Sequence, residues 1–199
     1  DIHWRGPGTE KLRNRLVSDL GQYEKLFEMV TDQKSIGESS VRYLSAPTAA
    51  RTIMQFIPHA RLIVSLRNPA ERAFSAFAHN LRDGLEPCSN FTDALEQERK
   101  GLRDSWTFCR YLDRGFYYQF IKNYLEYFDR QQMHISLLED LQADAPGLMR
   151  RLFTFLGVDE SFTPDASHKH NASGIIRNPV LRLLWTRTNR LRMLVRPLL

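Results

Sequence analysis

Arg61-Leu62-Ile63-Val64-Ser65-Leu66-Arg67-Asn68-Pro69-Ala70-Glu71-Arg72-Ala73-Phe74-Ser75-Ala76-Phe77 is the stretch whose reading decides the fold. Its first six residues form a short, β-branched run bounded by breakers, which predicts a parallel strand buried on both faces. A helix start follows at once. Asn68 can cap, Pro69 suits the first helical position, and Glu71 stands in the first turn, where negative charge is favoured. Ala73, Phe74, Phe77 and Leu81 recur at helical spacing and predict the buried stripe, with Gly84 ending the helix.

Outward from this segment, helices and strands alternate. Tyr23, Leu26, Phe27 and Val30 predict a helix ending near Val30, and Lys34 to Glu38 reads as extended. Ser45 and Pro47 precede a helical stripe of Ala49, Ile53, Phe56 and Ile57 that Pro58 stops. Helices are expected from Phe91 to Lys100 and from about Phe116 to Asp129. Met133, Ile135 and Leu137 alternate as a strand does. Asp144 and Pro146 open a helix carrying Leu148, Met149, Leu152, Phe153 and Leu156, closed by Gly157. Residues 178–199 read as a basic amphipathic helix. The pattern predicts one α/β domain over residues 1–199, with a mostly parallel sheet. Ligands bind such sheets at the carboxyl ends of the strands, so functional residues are expected after Leu66, after Leu138 and near Glu38.

Composition narrows the function. The chain has 199 residues with 42% hydrophobic content, enough to bury a core without disulfide or metal staples. Two cysteines are too few for a disulfide scaffold, and no Cys/His group has zinc-binding spacing, so no metal site is expected. No stretch approaches the roughly 18 apolar residues of a membrane span. The net charge of +5 favours anionic partners without choosing among them.

The strand delivers Arg67 to the sheet's carboxyl end, beside a helix whose first turn has unpaired N–H groups and a positive dipole end. A phosphate there would meet backbone donors and a guanidinium fork, with the Ser75 hydroxyl about two turns further on. Spacing alone leaves open a second reading, a well-capped helix beside a surface arginine.

The longer string resembles the 3′-phosphate-binding segment of PAPS-dependent sulfotransferases, nearest the branch of heparan sulfate sulfotransferases and their bacterial relatives. In that family a strand leads into Arg-x-x-Pro-x-x-Arg-Ala-x-Ser. The resemblance implies that Arg67 and Ser75 bind the 3′-phosphate, within a P-loop-NTPase-like parallel sheet flanked by helices. Gly37-Glu38-Ser39-Ser40-Val41-Arg42-Tyr43 is similar to the family's Gly-Glu-x-(Ser/Thr)-Pro-x-Tyr, with Val41 for Pro and Ser39 where the heparan enzymes have Lys. Arg114-Gly115-Phe116-Tyr117 resembles the family's Gly-x-Tyr helix, Glu139-Asp140-Leu141 its strand end, and Phe155-Leu156-Gly157 its Phe-Leu-Gly.

What the resemblance implies can be stated residue by residue. PAPS is the co-substrate and PAP the product. Asp1 takes the catalytic-base position, in a segment Asp1-Ile2-His3-Trp4 similar to the family's Glu-x-His-x-Phe, with His3 beside it. Tyr117 packs on the nucleotide or in the core. Lys169 and His170 neutralise the 5′-phosphosulfate or form a solvated loop. Glu38 accepts a hydrogen bond from the acceptor, or pairs with Arg42. The expected acceptor is a carbohydrate or small metabolite. Cys88 and Cys109 pair, as in related luminal enzymes, or remain two reduced thiols. One departure is the family's Lys-x-Gly-Thr-Thr-like loop for the 5′-phosphosulfate, which this sequence does not show. It therefore reads as beginning just after that loop. No signal or transit peptide is visible at the start of the sequence, so the expected compartment is the cytoplasm, or the Golgi lumen if an anchor lies upstream.

Two other classes compete. Arg182, Arg187, Arg190, Arg192 and Arg196, interleaved with Leu183, Leu184, Trp185, Leu191 and Leu194, fit a non-catalytic module for an anionic membrane or nucleic acid, or a helix packed on its own domain. Nucleic acid is not the expected partner. A nucleotide-kinase-like relative is opposed by the absence of Gly-x-x-x-x-Gly-Lys-(Ser/Thr).

Overall fold

The structure is a computed structural model and describes residues 5–9, 17 and 19–164. Asp1, His3, Lys169, His170 and the helix expected over 178–199 lie outside the described residues. In chain order the elements are α1 (Leu20–Lys25), α2 (Ala49–Phe56), β1 (Leu62–Leu66), α3 (Pro69–Arg82), α4 (Phe91–Arg99), α5 (Tyr117–Leu125), β2 (Met133–Leu137), α6 (Leu138–Ala143) and α7 (Ala145–Leu156). Among the described residues, 5–9 and Pro69–Gly115 form one compact unit, and Val17–Asn68 with 116–164 form a second.

The second unit holds the sheet. β1 and β2 run parallel, in register from Leu62 opposite Met133 to Leu66 opposite Leu137. Their carboxyl ends therefore lie side by side, as the α/β reading requires. Ala49, Ala50, Tyr124, Phe128 and Met133 form the core, with Leu62 and Val64 packed against it. Met133 is 2% exposed; burying a side chain of its size stabilises by roughly 1.5–3 kcal/mol. The alternation along β1 turns Ile63 away from this core, and it is 47% exposed. The strand expected to be buried is thus half-buried on one face, at Leu62, Val64 and Leu66, and exposed at Ile63 and Ser65.

α7 matches its sequence signals closely. The Asp144 carboxylate accepts the Gly147 N–H at 2.9 Å, Pro146 sits in the first turn and Leu148 is buried. Gly157 ends the helix at φ +68°, a backbone that costs other residues steric strain. Arg61 adds a cap that the sequence did not announce: its guanidinium donates to the carbonyl of Phe155 at 2.7 Å, one of the orphan acceptors of the last turn.

The first unit packs α3 on α4. Ala73, Phe77, Leu81, Ala94, Cys109 and Tyr111 form its core. Phe74, expected in the stripe, is 49% exposed. The buried positions instead run Ala73, Phe77, Ala78 and Leu81, and Phe74 sits on their flank, its ring edge-on to Phe91. Gly84 lies just past the helix end at φ +71°, as expected.

Four segments differ from expectation. α1 stops at Lys25 instead of near Val30; none of its residues is buried, and a helix without a packed face has little to extend it. Lys34 to Glu38 is irregular, with no strand beside it among the described residues. α5 spans Tyr117–Leu125 and then tightens into turns, still burying Phe128. In α2 the stripe reaches inward at Ala49 and Ala50, which are buried, and at Ile53, which packs on the core, while Phe56 and Ile57 are 58% and 50% exposed.

Candidate functional site

The backbone at the end of β1 is held from two directions. Tyr117, the first residue of α5, donates its hydroxyl to the carbonyl of Arg67 at 3.0 Å. The Asn68 N–H donates to Glu139 Oε1 at 3.4 Å. Glu139 is placed there because α6 starts directly after β2, and Asp140 closes that joint by accepting the Leu137 N–H at 2.8 Å. The parallel pairing thus brings Arg67, Tyr117 and Glu139 together at the carboxyl edge. Arg67 itself is half-buried. The sequence offered Tyr117 to the nucleotide or the core. Its hydroxyl bonds the Arg67 main chain, a contact that no local pattern signals.

Ser75 stands on α3 in the first unit and is half-buried. Glu38 is bound elsewhere in the second unit. Its Oε1 accepts hydroxyl hydrogens from Tyr23 at 2.9 Å and Tyr43 at 2.8 Å. Burial, then these bonds to Glu38, push the Tyr43 phenol up to about 12, and Tyr23 rises for the same reasons. Both tyrosines therefore remain donors at neutral pH and fix the direction of the carboxylate. The exposed Glu38 keeps Oε2 for a further donor.

The first unit contains a polar centre that sequence reasoning missed. Arg103 is 0% exposed and pairs with Glu86, its Nη1 2.7 Å from Oε2 and its Nη2 2.8 Å from Oε1. Gln97, the Cys109 carbonyl and the Cys88 sulfur take further guanidinium hydrogens, and the Tyr111 hydroxyl donates to Glu86. Burial pushes the Glu86 carboxyl up, but Arg103, Tyr111 and the Cys88 amide outweigh it and hold the group below the ordinary carboxylate range. Glu98, also buried, accepts the successive amides of Tyr111, Leu112 and Asp113. These bonds fix the chain leading to Gly115.

Cys88 and Cys109 are free thiols. Burial pushes Cys109 up to about 12, so at neutral pH it is a thiol and a poor nucleophile. Among the described residues no group of three or more His, Cys, Asp or Glu could hold a metal ion, and no helix is long and apolar enough to cross a membrane.

The chain is similar to known proteins. A family model described as "Sulfotransferase family" matches residues 14–164. The bifunctional heparan sulfate N-deacetylase/N-sulfotransferase 1 of Caenorhabditis elegans is 28% identical over 125 residues, 62% of this chain and 15% of that protein. Human carbohydrate sulfotransferase 15 is 32% identical over 121 residues, 53% of this chain and 22% of the relative. A solved structure of a sulfotransferase from Alicyclobacillus acidocaldarius superposes with a TM-score of 0.77 at 29% identity, covering 97% of this chain and 77% of its own. The chain spans less than a quarter of each of these two curated relatives' lengths.

Proposed function

The chain belongs to the sulfotransferase family, and from that premise we propose that it moves a sulfuryl group from PAPS to a hydroxyl or amine of a carbohydrate or small metabolite, releasing PAP. The observation that carries this reading is the anchoring of Arg67. Its carbonyl and the following amide are both bound, so the guanidinium starts from a fixed main chain at the carboxyl edge of a parallel pair. A forked, permanently charged donor suits a phosphate monoester.

In this reading Arg67 and Ser75 bind the 3′-phosphate of the nucleotide, and Tyr117 positions Arg67. Lys169 and His170 neutralise the 5′-phosphosulfate. Asp1 removes the proton from the attacking acceptor group, with His3 beside it, and Glu38 orients the acceptor through its unengaged oxygen. Sulfuryl transfer makes demands like those of phosphoryl transfer: acceptor and leaving oxygens in line, and cations where charge spreads over the equatorial oxygens. The chain's part is to hold and neutralise.

Calorimetric titration with PAP and with AMP, which lacks the 3′-phosphate, tests the assignment. PAP is expected to bind more tightly. Arg67→Ala should remove about 1.5–3 kcal/mol of that preference, a factor of roughly 10–150. An unchanged PAP-to-AMP ratio in the variant would overturn it.

A further inference from the structure

Three arginines of the first unit gather around the turn Asp113–Gly115, apart from the roles assigned above. Arg72, on α3, donates to the carbonyl of Tyr111. A Cβ at Gly115 would lie 3.9 Å from Arg72 Nη2, so this guanidinium borders the turn. Arg114, inside the turn, donates to the carbonyl of Thr107 at 2.6 Å. Arg110 reaches Asp113, its Nη2 3.2 Å from Oδ2.

The cluster is short of negative charge. Burial, then the charges of Arg72 and Arg110, push Arg114 below the ordinary arginine range; Asp113 is the carboxylate that opposes them. The neighbouring Glu98 carboxylate is occupied by three backbone amides. Two guanidinium nitrogens, Arg72 Nε and Arg110 Nε, are buried and lack a hydrogen-bond partner. A buried donor without an acceptor is costly, and each such group in a native protein calls for a reason. The Arg110 side chain is 29% exposed, which leaves the cluster open to solvent.

We propose that Arg72, Arg110 and Arg114 form a binding subsite for a tetrahedral oxyanion, sulfate or phosphate, free or carried on a larger ligand. Such an anion supplies what the cluster lacks: several acceptor oxygens at once, for donors already forked in planar pairs, and two negative charges among three positive ones. The backbone carbonyls that hold Arg72 and Arg114 keep these cations together before any ligand arrives.

Thermal unfolding of the full chain in low-millimolar sodium sulfate, against sodium chloride of equal ionic strength, reads this out. At such concentrations general exclusion of sulfate from the surface contributes little. The expected result is a saturable rise in Tm of about 3 °C, at sulfate near ten times its Kd. Arg110→Gln should lose at least half of that rise, and Arg67→Ala should keep it, which separates this subsite from the 3′-phosphate assignment. Arg72→Lys is a second variant should Arg110→Gln prove poorly folded, and should also weaken the rise, since a point charge cannot replace the fork. No saturable rise in the unsubstituted chain, or a full rise in both Arg110→Gln and Arg72→Lys, overturns the proposal. PAP titration in the presence of sulfate identifies the source. Competition that Arg110→Gln relieves shows a phosphate carried by the nucleotide; independent binding shows an oxyanion that is free or borne by the acceptor.

Discussion

The hydroxyl of Tyr117 bonds the carbonyl of Arg67 at 3.0 Å across fifty positions of sequence. A side chain that opens one helix therefore sets the main chain from which another element's arginine projects. Tyr117→Phe keeps the ring and removes only this bond. The net worth of one such bond is about 0.5–1.5 kcal/mol, so the Kd for PAP should rise roughly 2–10-fold with the affinity for AMP less affected. Calorimetry on both nucleotides checks it, and equal losses for PAP and AMP would assign Tyr117 to general packing.

Arg103 and Glu86 form a pair with both side chains fully buried. Removing one partner leaves the other charge unpaired in the interior, which costs about 3–5 kcal/mol. Arg103→Met is thus expected to lower the urea midpoint sharply, far more than Lys100→Met, whose ammonium faces Glu96 at the surface.

The same pair sets a pH dependence. Glu86 titrates below its unfolded value in the native chain, so the native state holds fewer protons there than the unfolded state. Stability therefore rises with pH through that interval. The contribution is complete above the ordinary glutamate pKa of about 4.3 and is lost as pH falls through the lower native value. In acid titrations followed by circular dichroism, Glu86→Gln should remove this component, so its urea midpoint should fall less between about pH 6 and about pH 3.

Glu38 acts on Tyr43 through a 2.8 Å bond that helps hold the phenol up to about 12. Glu38→Gln removes the negative charge and keeps an acceptor oxygen. Ultraviolet titration should then show two tyrosines, Tyr43 and Tyr23, ionising at lower pH, with Tyr43 moving toward 10 but not reaching it, because burial is the larger cause. An unmoved profile would detach Glu38 from the phenol.

At α7 the two caps can be tested separately. Asp144→Ala removes the bond to the Gly147 amide and should cost about 1 kcal/mol. Gly157→Ala forces a Cβ onto a left-handed residue, 3.1 Å from Arg61 Nη1, and should cost on the order of 1–2 kcal/mol. Urea denaturation reads both. Their sum should hold in the double variant if the two ends act independently.

What the sequence disclosed was local. β1, the start of α3 at Pro69 and both ends of α7 follow from alternation, capping residues and glycine position, all carried within a few residues. The failures arise from partners distant in the chain. Arg103 reads as one more surface cation until Glu86, seventeen positions earlier, is folded against it. Phe74 sits one position from the true stripe, and only the placement of Phe91 and Tyr111 decides which side is inside. Of the candidate site, Arg67 and its strand were legible from the motif, whereas the task of Tyr117 was not, since a hydroxyl seeking a main-chain carbonyl leaves no periodic trace.

The parallel register also bears on how the chain reaches its native state. Leu66 and Leu137 pair with the whole of Pro69–Gly115 lying between them in the chain. A hairpin can form early because its ends are already near; this pair must first close a long loop and forfeit that entropy before any strand bond repays it. The order of events that follows is α3–α4 collapse, built from neighbours in sequence, with the β1–β2 ladder forming late. Hydrogen-exchange labelling during refolding should then protect the amides of α3 before those of β2, and the carboxyl edge that presents Arg67 would be among the last features to take shape.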